Sequence, residues 1–303
     1  MGISILLNQI LTMYLLMTLG YFIVKKEWLN EEGSKQIANI LLKIVTPIVI
    51  INAFNTEFSL LKLKELAFTF LLGIILLGIG FIIAHIFLRK ENPLEQFAAG
   101  FPNVGFFGIP LVQGLLGIEA VFYISMIIVS YNIYSWTYGV YLLSQHRDSI
   151  HLKILLTNPA SVGLWIGLMI FIFPGILPNV LSQSLNMVAN LNTPLAMFVL
   201  GSYIAESSLS EIFKSKMAYK ACVIKQIFTP LIIVFVLKLL PNHLQMLKMV
   251  LLIASSAPTG VTMAMFAQQH EKDYAYGARI ISLSTLLSIF TIPFILSIAM
   301  RIW

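Results

Sequence analysis

Gly100-Phe101-Pro102-Asn103-Val104-Gly105-Phe106-Phe107-Gly108-Ile109-Pro110 decides how this chain folds. The stretch lies inside a segment otherwise apolar enough to cross a bilayer, yet a continuous membrane helix is not written this way. Pro102 and Pro110 carry no amide hydrogen, and glycines surround Asn103 on both sides. Backbone groups left unpaired in hydrocarbon must find partners in protein, water or ligand. The sequence therefore predicts a broken helix lining a cavity. A second interruption, Ser255-Ser256-Ala257-Pro258-Thr259-Gly260, falls inside a later apolar segment. Two broken spans in corresponding positions of two halves point to a transport site.

Composition sets the surroundings. Of 303 residues, 58% are hydrophobic and 11% charged, against about 25% charged in an ordinary soluble domain. The chain reads as an all-α polytopic protein whose partner is the lipid bilayer. Its net charge of +6 does not indicate nucleic acid, because the basic residues sit in short links between apolar runs, where they orient a membrane protein. The lone Cys222 permits no intrachain disulfide. The histidines (His85, His146, His151, His243 and His270) show no metal-ligand spacing, so no metal and no cofactor is predicted. Met1 to Val24 lacks a basic leader and a cleavage site and is read as a retained first span.

Ten apolar stretches approach the roughly 20 residues that cross a bilayer core: 3–24, 37–54, 66–88, 97–116, 120–143, 159–173, 185–205, 219–240, 247–267 and 275–298. Links after odd-numbered spans carry Lys25, Lys26, Lys35, Arg89, Lys90, Arg147, Lys153, Lys214, Lys216, Lys220 and Lys272. Links after even-numbered spans, with the C-terminal tail, carry only Lys62, Lys64, Lys248 and Arg301. The asymmetry predicts a multi-pass protein of the cytoplasmic membrane with both termini outside. The links are too short for a separate soluble domain.

A faint repeat divides the chain into 1–145 and 158–303. Thr46-Pro47 in span two is echoed by Thr193-Pro194 in span seven, and the breaks at Pro102 and Pro258 follow two spans later in each half. Five spans is an odd number, so the second half enters from the opposite side and the repeat is inverted, with spans four and nine crossing. Pro102, Pro110, Thr46, Pro47, Thr193 and Pro194 are the predicted helix breaks.

At such a crossing each half-helix N-terminus offers free amides and a positive dipole end, which suit an anion. Asn103, Val104 and Gly105 stand at the first end, and Pro258, Thr259 and Gly260 at the second, all candidate substrate contacts. Ser255 and Ser256 are further candidates for substrate or ion, and neutral oxygens there permit, without demanding, coupling to sodium. Alternatively, Asn103 caps a kink and the hydroxyls pair with backbone. Lys43 and Lys225 lie about six residues inside their spans, within reach of the interface by snorkelling; the alternative is that one of them draws an anion inward. No Asp or Glu is predicted in the middle of a span, which removes the usual proton relay, and no catalytic constellation is legible.

The run Asn103, Gly105, Gly108, Pro110 resembles the Asn-x-Gly-x-x-Gly-x-Pro signature of the auxin efflux carrier family. Leu19-Gly20-Tyr21, Asn158-Pro159, Thr193-Pro194-Leu195 followed by Leu200-Gly201, and Ala257-Pro258 are similar to that family too. The resemblance implies ten spans in two inverted repeats, and a scaffold of spans one, two, six and seven that forms a homodimer. It also implies a small organic anion, malate-like, bound near the crossing by Asn103 and Pro258. The short link between spans five and six resembles bacterial permeases and leaves auxin itself an unsuitable substrate. The expected function is a secondary carrier working by alternating access. The alternatives are a carrier of a neutral or cationic solute, or a receptor that transports nothing.

Overall fold

A computed structural model describes residues 3–146, 153–207 and 209–303; Arg147 and His151, used above, lie outside the described residues. Those residues form helices and the links between them, with no β-strand among them. Seven helices are long and apolar enough to cross a membrane: α1 (Ile3–Lys25), α2 (Glu31–Phe54), α3 (Leu60–Leu88), α6 (Ile118–Ser144), α8 (Asn179–Glu206), α9 (Lys216–Lys238) and α12 (Tyr274–Ile302). Predicted span six is a helix of 14 residues, α7 (Pro159–Ile172), started by the Asn158 side chain, which accepts from the Ser161 amide. Predicted spans four and nine are each two helices. Span four is α4 (Pro93–Gly100) followed by α5 (Val104–Leu116), and span nine is α10 (Gln245–Ser256) followed by α11 (Thr262–Gln269).

Proline acts in two ways here. At Pro102 and Pro258 the helix ends. At Pro47, Pro110 and Pro230 it instead widens into a π-turn just ahead of the ring: Leu41–Val45, Val104–Gly108 and Ile224–Phe228. In each case the residue before proline donates to the carbonyl five residues back, Thr46 to Leu41, Ile109 to Val104 and Thr229 to Ile224. The wider turn relieves the clash of the ring with the preceding turn and loses one donor rather than the helix. Thr46-Pro47 and Pro110 therefore do not break their helices. Thr193-Pro194 lies in the first turn of Asn192–Glu206, just after the join with Asn179–Ala189.

Close packing needs small residues where no hydrophobic force draws apolar helices together. α1 lies along α8, and α7 along α2. A Cβ on Gly201 would sit 2.1 Å from the Met17 carbonyl oxygen, and one on Gly20 would sit 2.6 Å from Phe198 Cα. On the other pair, a Cβ on Gly163 would meet Pro47 Cα at 2.8 Å. Gly73 and Gly78 let α3 approach Ser130 and Tyr134 of α6. The glycines of α3 are thus contact points between helices.

Several acids predicted in links fall within helices, because the helices begin earlier than hydropathy predicts: Glu31 and Glu32 in α2, Glu65 in α3, Glu95 in α4 and Glu119 in α6. Glu65 of α3 accepts from the Tyr123 hydroxyl at 2.6 Å. Glu95, 4% exposed in the first turn of α4, accepts from the Tyr276 hydroxyl at 2.6 Å. A carboxylate in a helix's first turn is favoured by the dipole, which helps keep Glu95 tolerable out of water. Lys248, assigned above to a link, is buried in α10, with its ammonium 5.6 Å from the Trp303 ring centroid.

Candidate functional site

The two interruptions meet. Asn103 N–H donates to the Pro258 carbonyl at 2.7 Å, and Gly260 N–H donates to the Phe101 carbonyl at 2.9 Å, pairing Pro102 with Thr259 as an isolated antiparallel bridge. Each broken strand thus supplies partners that the other lost. In a continuous helix the Ala98 carbonyl would accept from residue 102, but proline has nothing to donate. The Thr259 hydroxyl takes that place at 3.1 Å. Likewise the Ser255 carbonyl would accept from the Thr259 amide, which donates instead to Ser284 Oγ at 2.8 Å. The vacated carbonyl receives the Lys225 ammonium at 2.6 Å. Backbone polarity that hydrocarbon could not satisfy is satisfied by the crossing itself.

Asn103 caps α5. Its Oδ1 accepts from the Phe106 amide at 3.2 Å, which fixes the carboxamide and leaves Nδ2 free to donate elsewhere. That nitrogen is buried, the residue being 3% exposed, and finds no partner among the described residues. A buried amide donor left unpaired costs about 1–3 kcal/mol, so it marks a place where a ligand or water belongs. Two residues on, a Cβ on Gly105 would meet nothing within 4 Å. An unpaired buried donor and a position with open space thus both fall in the first turn of α5, at the positive end of the helix. α8 packs against this turn, and Asn192 at the start of its second segment is also buried with Nδ2 unpartnered.

The other predicted residues separate into distinct roles. Val104 N–H turns back to the Pro102 carbonyl at 3.0 Å. The Pro258 carbonyl, both donors of Thr259 and the Gly260 amide are consumed in holding the crossing. Ser255 Oγ bonds back to the Leu251 carbonyl at 2.7 Å. Ser256 Oγ is buried and unpartnered among the described residues. Lys43 is exposed, as are its neighbours Leu42 and Ile44, and among the described residues it makes no hydrogen bond or ion pair with the crossing. Lys225 neither snorkels nor stands open to an incoming anion: it is 2% exposed and turned inward.

Sequence reasoning missed Gln226, whose Nε2 donates to the Ser284 carbonyl at 2.6 Å, and Ser284 itself. The signal was present in Lys225-Gln226-Ile227-Phe228-Thr229-Pro230, which echoes Lys43-Ile44-Val45-Thr46-Pro47. Two cavities lie toward opposite ends of α2. One of about 330 Å³ includes Asn52, Asn55, Lys62, Glu119 and Tyr123; one of about 210 Å³ includes Glu31, Glu206, Glu211, Tyr274 and Arg279. Neither includes a residue of the crossing. Both sit where polar helix ends meet.

The sequence model of the family described as "Membrane transport protein" matches residues 5–296. The uncharacterized transporter MJ1031 of Methanocaldococcus jannaschii is 25% identical over 299 residues, covering 94% of this chain and 96% of that protein. The uncharacterized transporter YfdV of Escherichia coli K12 is 20% identical over 310 residues, covering 96% of each chain. A YfdV of Shigella flexneri is similar to the same degree.

Proposed function

Because the chain belongs to the auxin efflux carrier family of membrane transport proteins, we propose that it is a secondary carrier moving a small organic anion, a malate-like carboxylate, by alternating access. The observation that carries this reading is the unpaired, buried Asn103 Nδ2 at the positive end of α5, in the same turn as the uncrowded Gly105. A carboxylate oxygen would satisfy that donor, and among the described residues no Asp or Glu is in either broken segment, 101–103 or 257–261. Pairing of α4–α5 with α10–α11 gives one bundle a site at its centre, which can be exposed to either side as the bundle moves against the α1, α2, α7 and α8 scaffold. That scaffold is also the face we assign to a homodimer.

The packing supports a ten-span inverted repeat with halves 1–145 and 158–303. If α1 corresponds to α7 and α2 to α8, the α1–α8 contact is the image of the α7–α2 contact, and both are glycine-mediated. Charge asymmetry supports both termini outside and a cytoplasmic-membrane location. In a Cys222→Ser background, Lys90→Cys is expected to react with an impermeant thiol reagent only from the cytoplasmic side and Lys62→Cys only from the outside. Labelling of both from one side would overturn the topology.

Function is tested with purified protein in liposomes supplied with radiolabelled malate and related carboxylates. Uptake above protein-free liposomes, driven by a potential positive inside, is the expected result. Uptake driven only by a negative-inside potential would select the cationic-solute reading. Saturable binding without accumulation would select the receptor.

A further inference from the structure

The break in the second crossed helix leaves a negative end with an unusual partner. α10 runs twelve residues, Gln245–Ser256, and stops in the protein interior, where Ser255 is 8% and Ser256 0% exposed. Its terminal carbonyls carry the equivalent of about half a negative charge. Because the Thr259 amide is taken by Ser284, the Ser255 carbonyl has lost its helical donor. Lys225 supplies a new one at 2.6 Å from a neighbouring helix of the same bundle. No carboxylate forms an ion pair with Lys225 among the described residues. The charge that accompanies this buried ammonium is therefore the helix end. Oxygens without partners lie on adjacent positions: Ser256 Oγ beside Ser255, and Gln226 Oε1 and Thr229 Oγ1 on the Lys225 turn.

An interrupted membrane helix whose C-terminal carbonyls and neutral oxygens face one another is the usual chemistry of a coupling-cation site in a carrier. Here the position is filled covalently. We propose that the Lys225 ammonium is a tethered cation, standing where a mobile coupling cation would bind at the end of α10, so that movement of the anion requires no sodium. Its transport consequence rests on the carrier reading above; its occupation of the α10 terminus does not. The π-turn Ile224–Phe228 supports the placement, because the widened turn ahead of Pro230 carries Lys225 and Gln226 in the bundle interior, both buried. α9 and α10 pack together, so the Lys225 side chain stays beside the crossing.

The test uses the full-length protein in detergent and in liposomes. Exchange of choline for sodium at constant ionic strength should leave the wild-type melting temperature and its malate uptake unchanged. Lys225→Ala should melt lower and be raised by several degrees by methylammonium or sodium, neither of which affects wild type. Lys225→Gln, which keeps a donor for the Ser255 carbonyl but no charge, should lose uptake by about tenfold or more, as for loss of a charge-assisted hydrogen bond. Sodium stabilisation of wild type comparable with that of Lys225→Ala would overturn the proposal, since a mobile cation would then have its own site. So would Lys225→Gln matching wild type in both melting and uptake, or a folded Lys225→Ala indifferent to both cations. Should Lys225→Ala not fold, the wild-type sodium comparison and Lys225→Gln decide. Wild type that carries none of the tested carboxylates would sink the organic-anion reading while leaving the melting comparisons to judge Lys225.

Discussion

Asn103→Asp is expected to lower carboxylate uptake by about a hundredfold or more while the protein melts within a few degrees of wild type. The substitution separates two jobs that one side chain performs. An aspartate keeps the oxygen that accepts from the Phe106 amide, and its charge is welcome at a helix N-terminus, so α5 remains capped. What it removes is the Nδ2 donor, replaced by an oxygen carrying negative charge. Like charges brought together in a desolvated site cost several kcal/mol, and each 1.4 kcal/mol is a factor of about ten in binding. Asn103→Leu loses donor and cap together; it should also lose uptake, with about 1 kcal/mol less stability from the missing cap. The pair discriminates among readings. Undiminished carboxylate uptake by Asn103→Asp would remove Asn103 from the recognition of the anion. Improved uptake of a cation by that variant would move the protein to the alternative class of solute. The measurement is initial-rate uptake in liposomes alongside a melting curve for each variant.

Much of this architecture was legible because hydrocarbon leaves the backbone few options. Pro102 and Pro258 stand in apolar runs that cannot tolerate orphaned carbonyls, so the breaks and their mutual proximity could be inferred from proline and glycine alone. Side-chain direction was another matter. Lys43 and Lys225 lie at similar depth and were indistinguishable by hydropathy, yet one is exposed and the other buried. The difference is their register to the Thr-Pro that follows. Lys43 stands three residues before Thr46 and Lys225 four before Thr229, so the two lysines leave their π-turns in different directions. The sequence makes Thr259 a candidate substrate contact because it follows Pro258 at a half-helix N-terminus. Only the geometry reveals that the Ala98 carbonyl, orphaned by Pro102 on a distant part of the chain, claims it. Hydropathy leaves Glu65 and Glu95 in links because their helices begin several residues before the apolar runs do. Their tyrosine partners, Tyr123 and Tyr276, come from other helices and left no local trace in the sequence.

The two glycines of the crossing should respond in opposite ways to the same added methyl group. At Gly260 a Cβ would stand 2.7 Å from Tyr131 Oη and 3.2 Å from the Pro102 carbonyl oxygen. Neither can yield cheaply: Tyr131 is buried and hydrogen-bonded to Thr262 Oγ1, and the carbonyl is backbone at the bridge. Gly260→Ala must therefore push the crossed segments apart, straining the Gly260–Phe101 and Asn103–Pro258 bonds. Overpacking of this kind costs about 1–3 kcal/mol, and a weakened buried hydrogen bond adds about 1 kcal/mol. A marked fall in melting temperature and loss of uptake are expected together. Gly105→Ala meets no atom within 4 Å, and alanine in a helix is favoured over glycine by roughly 0.5–1 kcal/mol. That variant should melt at or above the wild-type temperature. If the open space at Gly105 is where the anion sits, the methyl group occupies part of it, and uptake should fall although the fold is firmer; Gly105→Leu should abolish it. Uptake by Gly105→Leu equal to wild type would mean that the space is not on the substrate's route. Equal melting temperatures for Gly260→Ala and wild type would mean that the two segments do not meet as closely as their hydrogen bonds require, and the shared site would lose its physical basis.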